Sequence, residues 1–246
     1  MVQLSNIISF FKKKQPFSNF IQTDIHSHVL PGLDDGAATL PESIEIIKKL
    51  SDLGYKKLVT SPHIMNDFYP NTVSSIQKAL EIVREEIVKQ RLSVEIEAIA
   101  EYYVDEHFAQ AVSKNQELLH IKKYILIETG FMSLPAQFDE IIFQLFSLGY
   151  KPIFAHPERY IYAQQNFKIL EKIFEKGVYF QIDIMSLTGH YSTMARQVCE
   201  KLIDHGMVHF VGSDCHHIKH LDIIEKSFST PYFRKLAQLP LLNNEL

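Results

Sequence analysis

Two histidines separated by one residue, His26 and His28, stand in the segment Asp24-Ile25-His26-Ser27-His28. Alternate side chains of an extended strand share a face, so both imidazoles can reach one ion. Asp34-Asp35-Gly36 follows, then His63 in Ser-Pro-His, Glu101 in Ala-Glu-Tyr-Tyr and Glu128 in Ile-Leu-Ile-Glu. His156 opens His-Pro-Glu-Arg-Tyr, and Asp214 and His216 close Gly-Ser-Asp-Cys-His. Any one of these residues has an ordinary structural role open to it. Gathered on one rim, Asp35, Glu101, Glu128 and Asp214 would repel one another and resist ionisation unless cations lay between them. Two or three divalent ions meet that need. Imidazole and carboxylate donors without thiolate suit manganese, iron or zinc better than calcium without ranking the three, and manganese is the ion expected.

The elements that must position these residues are legible as alternation. Short β-branched runs at Ile21–Ile25, Lys57–Ser61, Val94–Ala100, Tyr124–Glu128, Ile153–Ala155, Val178–Asp183 and Val208–Gly212 predict strands, separated by amphipathic helical stretches. That order implies a parallel sheet, and its seven strands approach a closed barrel. Thr39-Leu40-Pro41-Glu42 reads as a capping box with an early proline, followed by Ile44, Ile47 and Leu50 on one face and Gly54 as the stop. A long helix is expected after Asn71, with others near Asp105–Asn115, Pro135–Leu148, Phe167–Lys176 and Thr193–His205. Every candidate ligand then falls at a strand's C-terminal end or in the first loop, the rim where barrel enzymes collect their catalytic side chains. Chance gives no reason for that registration.

Composition narrows the class. The 246 residues, 46% hydrophobic and 22% charged, are those of a globular chain with a sizeable core. A formal charge of −4 and a single basic run, Lys12-Lys13-Lys14, argue against nucleic acid as a partner. Two cysteines, Cys199 and Cys215, make no disulfide framework, and the sequence is expected to work in a reducing cytoplasm. No apolar run reaches the roughly 18 residues of a membrane span. Residues 1–20 read as an extension ahead of one domain covering 21–246. Leu4, Ile7, Ile8, Phe10 and Phe11 lie at helical spacing there, as in a helix packed on its own domain or one touching a membrane surface or partner.

The segments Asp24 to Gly36, Ser61-Pro62-His63, Ala100 to Tyr103, Ile125 to Glu128, Ala155 to Tyr160 and Gly212 to His216 together resemble the PHP (polymerase and histidinol phosphatase) superfamily. They are most similar to its bacterial protein-tyrosine phosphatases of capsule and exopolysaccharide operons. The resemblance runs from about Thr23 to His216 and implies a distorted (β/α)7 barrel of TIM-like α/β class. It also implies a ligand partition. His26, His28 and Asp214 would hold a first ion, Glu101 would bridge to a second completed by Glu128 and His156, and Asp35, His63 and His216 would hold a third. Arg159 would grip the phosphate, with Asp35 and His216 the other candidate catalytic residues. The family often carries an arginine soon after the Ser-Asp-x-His motif. This chain has Lys219 and His220 there, which makes Lys219 the candidate second phosphate ligand.

A water bridging divalent ions ionises near neutral pH and can attack phosphorus in line, so no protein nucleophile is required. A phenolate leaving group needs less protonation than an alkoxide, which favours phosphotyrosine over phosphoserine. Thiol-based phosphatases place arginine six positions after cysteine, whereas Cys199 leads to His205 and Cys215 to Leu221. The resemblance implies a flexible, tyrosine-rich tail of a bacterial tyrosine kinase as the substrate. Phe68, Tyr69, Tyr102, Tyr103, Phe131 and Tyr160 lie near the motifs as candidate ring contacts. The other readings are a small-molecule phosphomonoesterase such as histidinol phosphatase, an amidohydrolase-type barrel, for which Glu128 stands where lysine is usual, and a non-catalytic metal-binding module.

Overall fold

The structure is a computed structural model that describes residues 19–246, so the helix anticipated over Leu4 to Phe11 lies outside the described residues. Its strands are β1 (Thr23–Asp24), β2 (Lys57–Thr60), β3 (His63–Ile64), β4 (Glu95–Ala98), β5 (Glu101–Tyr103), β6 (Tyr124–Glu128), β7 (Lys151–Ala155), β8 (Tyr179–Asp183) and β9 (Phe210–Gly212). All the ladders between them are parallel. They fall in two sheets, ordered β1-β2-β4 and β3-β5-β6-β7-β8-β9.

The chain itself joins the sheets. β2 stops at Thr60 and the same path resumes as β3, while β4 stops at Ala98 and resumes as β5. Pro62 falls in the first break, where a ladder would need the N–H that proline lacks. Ser61 N donates to Ser27 O at 2.7 Å and Glu101 N to Pro62 O at 3.1 Å, so the backbone stays satisfied across both breaks. On the other side an isolated parallel bridge pairs Ser27 with Cys215, and Asp214 N donates to His26 O at 2.8 Å. Seven strand paths thus follow one another around a distorted (β/α)7 barrel whose hydrogen bonding is interrupted where the site is built.

Ile25, Val59, Ile99, Leu126, Ile153, Ala155 and Phe210 fill the barrel interior, with Leu246 packed against them. A larger apolar layer lies between strands and helices, where each fully buried Ile or Leu contributes roughly 1.5–3 kcal/mol. The helices are α1 (Leu40–Asp52), α2 (Val73–Lys89), α3 (Glu106–Ser113), α4 (Phe138–Ser147), α5 (Ile161–Gln165), α6 (Lys168–Glu175), α7 (Thr193–Asp204), α8 (Ile218–Ser227) and α9 (Pro231–Leu236). Thr39 caps α1 as expected, accepting from Glu42 N at 3.4 Å, but the Glu42 carboxylate reaches Ala38 N, one residue before the cap. Gly54 ends that helix with φ of +103°, a conformation that costs glycine no Cβ strain.

The expected strands and the six helical stretches expected within the described residues are present within a few residues of their anticipated ends. His63 and Glu101, expected to terminate strands, instead begin β3 and β5. Helices α5, α8 and α9 were not anticipated, because each is short or begins directly after a site motif without a clear cap signal. Among the described residues, no helix is long and apolar enough to cross a membrane.

Candidate metal centre

His26 and His28 leave the end of β1 with both side chains on one side. Gln181 Oε1 accepts from His26 Nδ1 at 2.8 Å, and Asp34 Oδ2 accepts from His28 Nδ1 at 2.7 Å. Each ring therefore carries its hydrogen on Nδ1 and turns Nε2 into the site, where the two Nε2 atoms lie 3.2 Å apart. The first loop divides its two aspartates. Asp34 also accepts from His63 N, while Asp35 turns outward with Oδ1 3.7 Å from His63 Nε2 and 3.5 Å from His216 Nε2. Glycine must follow them, because a Cβ on Gly36 would stand 2.0 Å from His28 O.

Glu101, wholly buried, forms the middle of the cluster. Its Oε2 lies 3.0 Å from His26 Nε2 and 3.2 Å from His63 Nδ1, and its Oε1 lies 3.1 Å from His156 Nε2. Glu128 at the end of β6 approaches His63 Nδ1 to 3.0 Å. His156 and Asp214 both adopt left-handed backbone, with φ of +34° and +46°. Non-glycine residues hold that conformation only where their surroundings enforce it, and here it turns both side chains from strand ends into the mouth. Asp214 Oδ1 lies 3.2 Å from His26 Nε2 and 3.4 Å from His28 Nε2, while its Oδ2 accepts from Arg159 Nη1 at 2.5 Å. Asp24 steadies this corner by accepting from Ser213 N and Oγ at 2.8 and 2.6 Å. Gly212 is needed beside it, since a Cβ there would meet His26 Cβ at 2.5 Å.

The imidazoles and carboxylates shift one another's protonation. Burial works against a cationic His26, yet Glu101 and Asp214 overcome it and push its pKa up to about 9. His28 is raised well above its usual value, with burial opposing and Asp34 chief among the groups that prevail. Against the pull of burial, His26 and its imidazole neighbours hold the Glu101 and Asp214 carboxyls well below the usual range. His156 goes the other way, lowered first by burial and then by the Arg159 cation.

The donor set fits divalent ions. Potential ligand atoms gather as His26, His28 and Asp214, as His26, Glu101 and His156, as His63, Glu101 and Glu128, and as His28, Asp35, His63 and His216, each group within 4.8 Å. His63 Nδ1 is buried and makes no hydrogen bond although two carboxylates flank it, as a nitrogen offered to an ion would be. The structure thus brings together all nine residues singled out as ligands. Arg159, on the Pro157–Arg159 turn after β7, lines the same cavity of about 510 Å³.

Lys219 is not brought to this cavity. It lies exposed on α8, beside Lys49 and Asp52 of α1, because the first turn of α8 carries it outward. Of the candidate ring contacts, Phe68, Tyr103 and Phe131 line the cavity. Tyr69 stacks on His63, Tyr102 on Phe108 and Tyr160 on Phe154. Sequence reasoning missed Asp34 and Gln181. A polar Gln181 within the otherwise apolar start of β8 was the available signal, since a buried amide needs a partner.

The family model described as capsular polysaccharide synthesis, CpsB/CapC, matches residues 22–232. The chain belongs to the CpsB/CapC family. Among curated CpsB/CapC relatives, tyrosine-protein phosphatase YwqE of Bacillus subtilis is 30% identical over 233 residues, 90% of this chain and 92% of YwqE. The putative tyrosine-protein phosphatase CapC of Staphylococcus aureus is 29% identical, over 79% of this chain and 77% of CapC. A crystal structure from work on YwqE of Bacillus subtilis and CpsB of Streptococcus pneumoniae, described as unique metal-dependent tyrosine phosphatases, superposes with a TM-score of 0.77. It is 29% identical and covers 88% of this chain and 91% of its own. The resemblance drawn from the motifs is borne out by this CpsB/CapC membership, and the distorted α/β barrel by the structural match.

Proposed function

We propose that the chain is a metal-dependent protein-tyrosine phosphatase, with residues 21–246 forming one catalytic unit. The observation that carries this reading is the clustering of nine imidazole and carboxylate donors, seven of which line one cavity together with Arg159. His26, His28 and Asp214 would hold one ion, Glu101, Glu128 and His156 a second, and Asp35, His63 and His216 a third. Divalent ions there would supply neutralising charge for the phosphoryl group and lower the pKa of water towards neutral. Manganese, iron and zinc all suit mixed imidazole and carboxylate donors, and manganese is the ion proposed.

The protein's own groups do the rest. Arg159 is held by Asp214 and keeps further N–H donors for phosphoryl oxygens, a fork that lysine cannot reproduce. Phe68 and Phe131, exposed to 70% and 41%, flank the opening and offer apolar surface to a tyrosine ring. Asp35, the most exposed carboxylate of the set, and His216 stand on the solvent side, where a leaving phenolate would depart and take its proton from water. Cys199 and Cys215 are both fully buried, and burial holds each thiol well above its usual pKa, which leaves no thiolate nucleophile.

The names of the relatives support a phosphotyrosyl protein as substrate, and a tyrosine-rich tail of a kinase controlling polysaccharide export fits an open, rim-mounted site. Action in the cytoplasm, with membrane or partner contact through residues 1–20, belongs to the same reading. The test is phosphate release from a phosphotyrosyl peptide, a phosphoseryl peptide and histidinol phosphate, with chelator and after reloading with manganese, iron or zinc. Failure of every metal-loaded form to hydrolyse the phosphotyrosyl peptide would overturn the proposal.

A further inference from the structure

Arg159 does not stand alone over the cavity. Its guanidinium carbon lies 4.1 Å from the centroid of the Tyr191 ring and 5.3 Å from that of Phe131, so aromatic groups contact it from two loops. Among the described residues, its only side-chain hydrogen bond is the one to Asp214. The Tyr191 hydroxyl donates to buried Asp183 and stands 3.4 Å from Asp214 Oδ2. Asp183 is itself fixed, accepting from Met185 N at 2.7 Å while its own N–H donates to Glu158 Oε1 at 2.8 Å. The backbone around Tyr191 is equally constrained, between the left-handed turn at Gly189 and Ser192, which caps α7.

We propose that Tyr191 and Phe131 are positioning residues that hold Arg159 for the phosphoryl group, with Tyr191 anchored from below by Asp183. The proposal rests on the phosphatase reading and assigns part of the affinity for phosphate to two residues outside the ligand set. An arginine on a flexible stem loses rotamer freedom when it binds an anion, and aromatic contacts that fix it beforehand remove part of that cost. Asp214 cannot do this alone, because one hydrogen bond leaves the guanidinium plane free to rotate about it. Tyr191 also links Arg159 to Asp183, so the loop that carries Tyr191 is itself tied to the end of β8.

The experiment uses the metal-loaded full chain and its Tyr191→Leu, Tyr191→Phe and Phe131→Leu forms. Readouts are bound metal, the inhibition constant for inorganic phosphate, and KM and kcat for a phosphotyrosyl peptide. Tyr191→Leu is expected to weaken phosphate inhibition and raise KM about tenfold with bound metal unchanged. Tyr191→Phe, which keeps the ring and loses the anchor, should fall between it and wild type. Unchanged phosphate inhibition in Tyr191→Leu with metal retained overturns the proposal. Should Tyr191→Leu not fold, Phe131→Leu at the exposed rim decides, and unchanged phosphate inhibition there overturns it equally. Wild-type protein that hydrolyses no phosphotyrosine would sink the phosphatase reading instead, while calorimetry of inorganic phosphate binding to the same metal-loaded variants still tests the positioning role.

Discussion

The Nε2 atoms of His26 and His28 face each other at 3.2 Å, each ring having committed its Nδ1 hydrogen to Gln181 or Asp34. Without an ion, protons must fill that space. His26 is pushed up to about 9 by Glu101 and Asp214 against the effect of burial, and His28 is raised as well. Metal uptake at pH 7 must therefore displace protons, and calorimetry in buffers of differing ionisation enthalpy should register their release. Apparent affinity should rise with pH up to about 9. Uptake at neutral pH without proton release would contradict this arrangement.

The same shifts set the stability of the metal-free protein. A histidine whose folded pKa lies above its unfolded value contributes stability that is complete below about 6.5 and lost as pH rises through about 9. For His26 this amounts to roughly 3 kcal/mol. The thermal midpoint measured in chelator should fall between these pH values, and saturating metal should suppress the fall. A midpoint in chelator that climbs over this range would refute the assignment.

Asp34 and Asp35 are neighbours with separable effects. Asp34→Ala removes the acceptor that orients His28 and should weaken metal binding overall by about 10–100-fold. Asp35→Ala should instead lower the metal content by about one ion while the inner ions stay bound, since its carboxylate pairs with His63 and His216 at the outer side of the cluster. Elemental analysis after controlled dialysis separates them. Identical metal content and affinity in the two variants would count against this division.

Much of the site was open to sequence reading because its chemistry is carried by rare residue types at the ends of recognisable strands. Period-two alternation put His26 and His28 on one face, and the Asp-Asp-Gly, His-Pro-Glu-Arg and Ser-Asp-Cys-His segments interrupt apolar runs where parallel strands must stop. The breaks at Ser61-Pro62 and Ile99-Ala100 were less legible. A strand path that pauses and resumes keeps the same residue preferences on both sides, so β3 and β5 merged with what came before or after. Lys219 was misplaced because proximity in sequence to His216 says nothing about the direction in which α8 leaves the rim. Gln181, Asp183 and Tyr191 escaped notice because their work is to hold other side chains, and a pattern of ligand types does not mark such residues.

Arg159→Ala should leave bound metal near normal and depress kcat/KM for a phosphotyrosyl peptide by several kcal/mol, on the order of a thousandfold. Iodoacetamide should leave activity intact under the same conditions, because Cys199 and Cys215 are buried and protonated. Metal loss in Arg159→Ala matching that of His28→Ala would contradict the separation of phosphate grip from ion binding. Rapid inactivation by the alkylating agent would point to a thiol mechanism.

The far end of the barrel gives the last prediction. Asn243 is 1% exposed and closes the floor, its Nδ2 donating to Thr23 O at 2.9 Å and Val211 O at 2.7 Å while its Oδ1 accepts from Val211 N at 3.0 Å. Three backbone groups of β1 and β9 thus depend on one side chain, and Leu246 packs beneath the same strands. Asn243→Ala would leave those groups buried without partners, at a cost of about 3 kcal/mol given roughly 1–3 kcal/mol for each unsatisfied group and partial relaxation. Asn243→Asp should be nearly as harmful, because a carboxylate cannot donate to Thr23 O and Val211 O. The ligands His26 and Asp214 lie three residues further along each strand path and make no contact with Asn243, so kcat per folded molecule in Asn243→Ala should stay close to wild type below its unfolding temperature. Chemical denaturation read alongside phosphatase assays separates the two effects. A stability loss under about 0.5 kcal/mol, the range of an ordinary surface substitution, would show that the floor does not depend on Asn243.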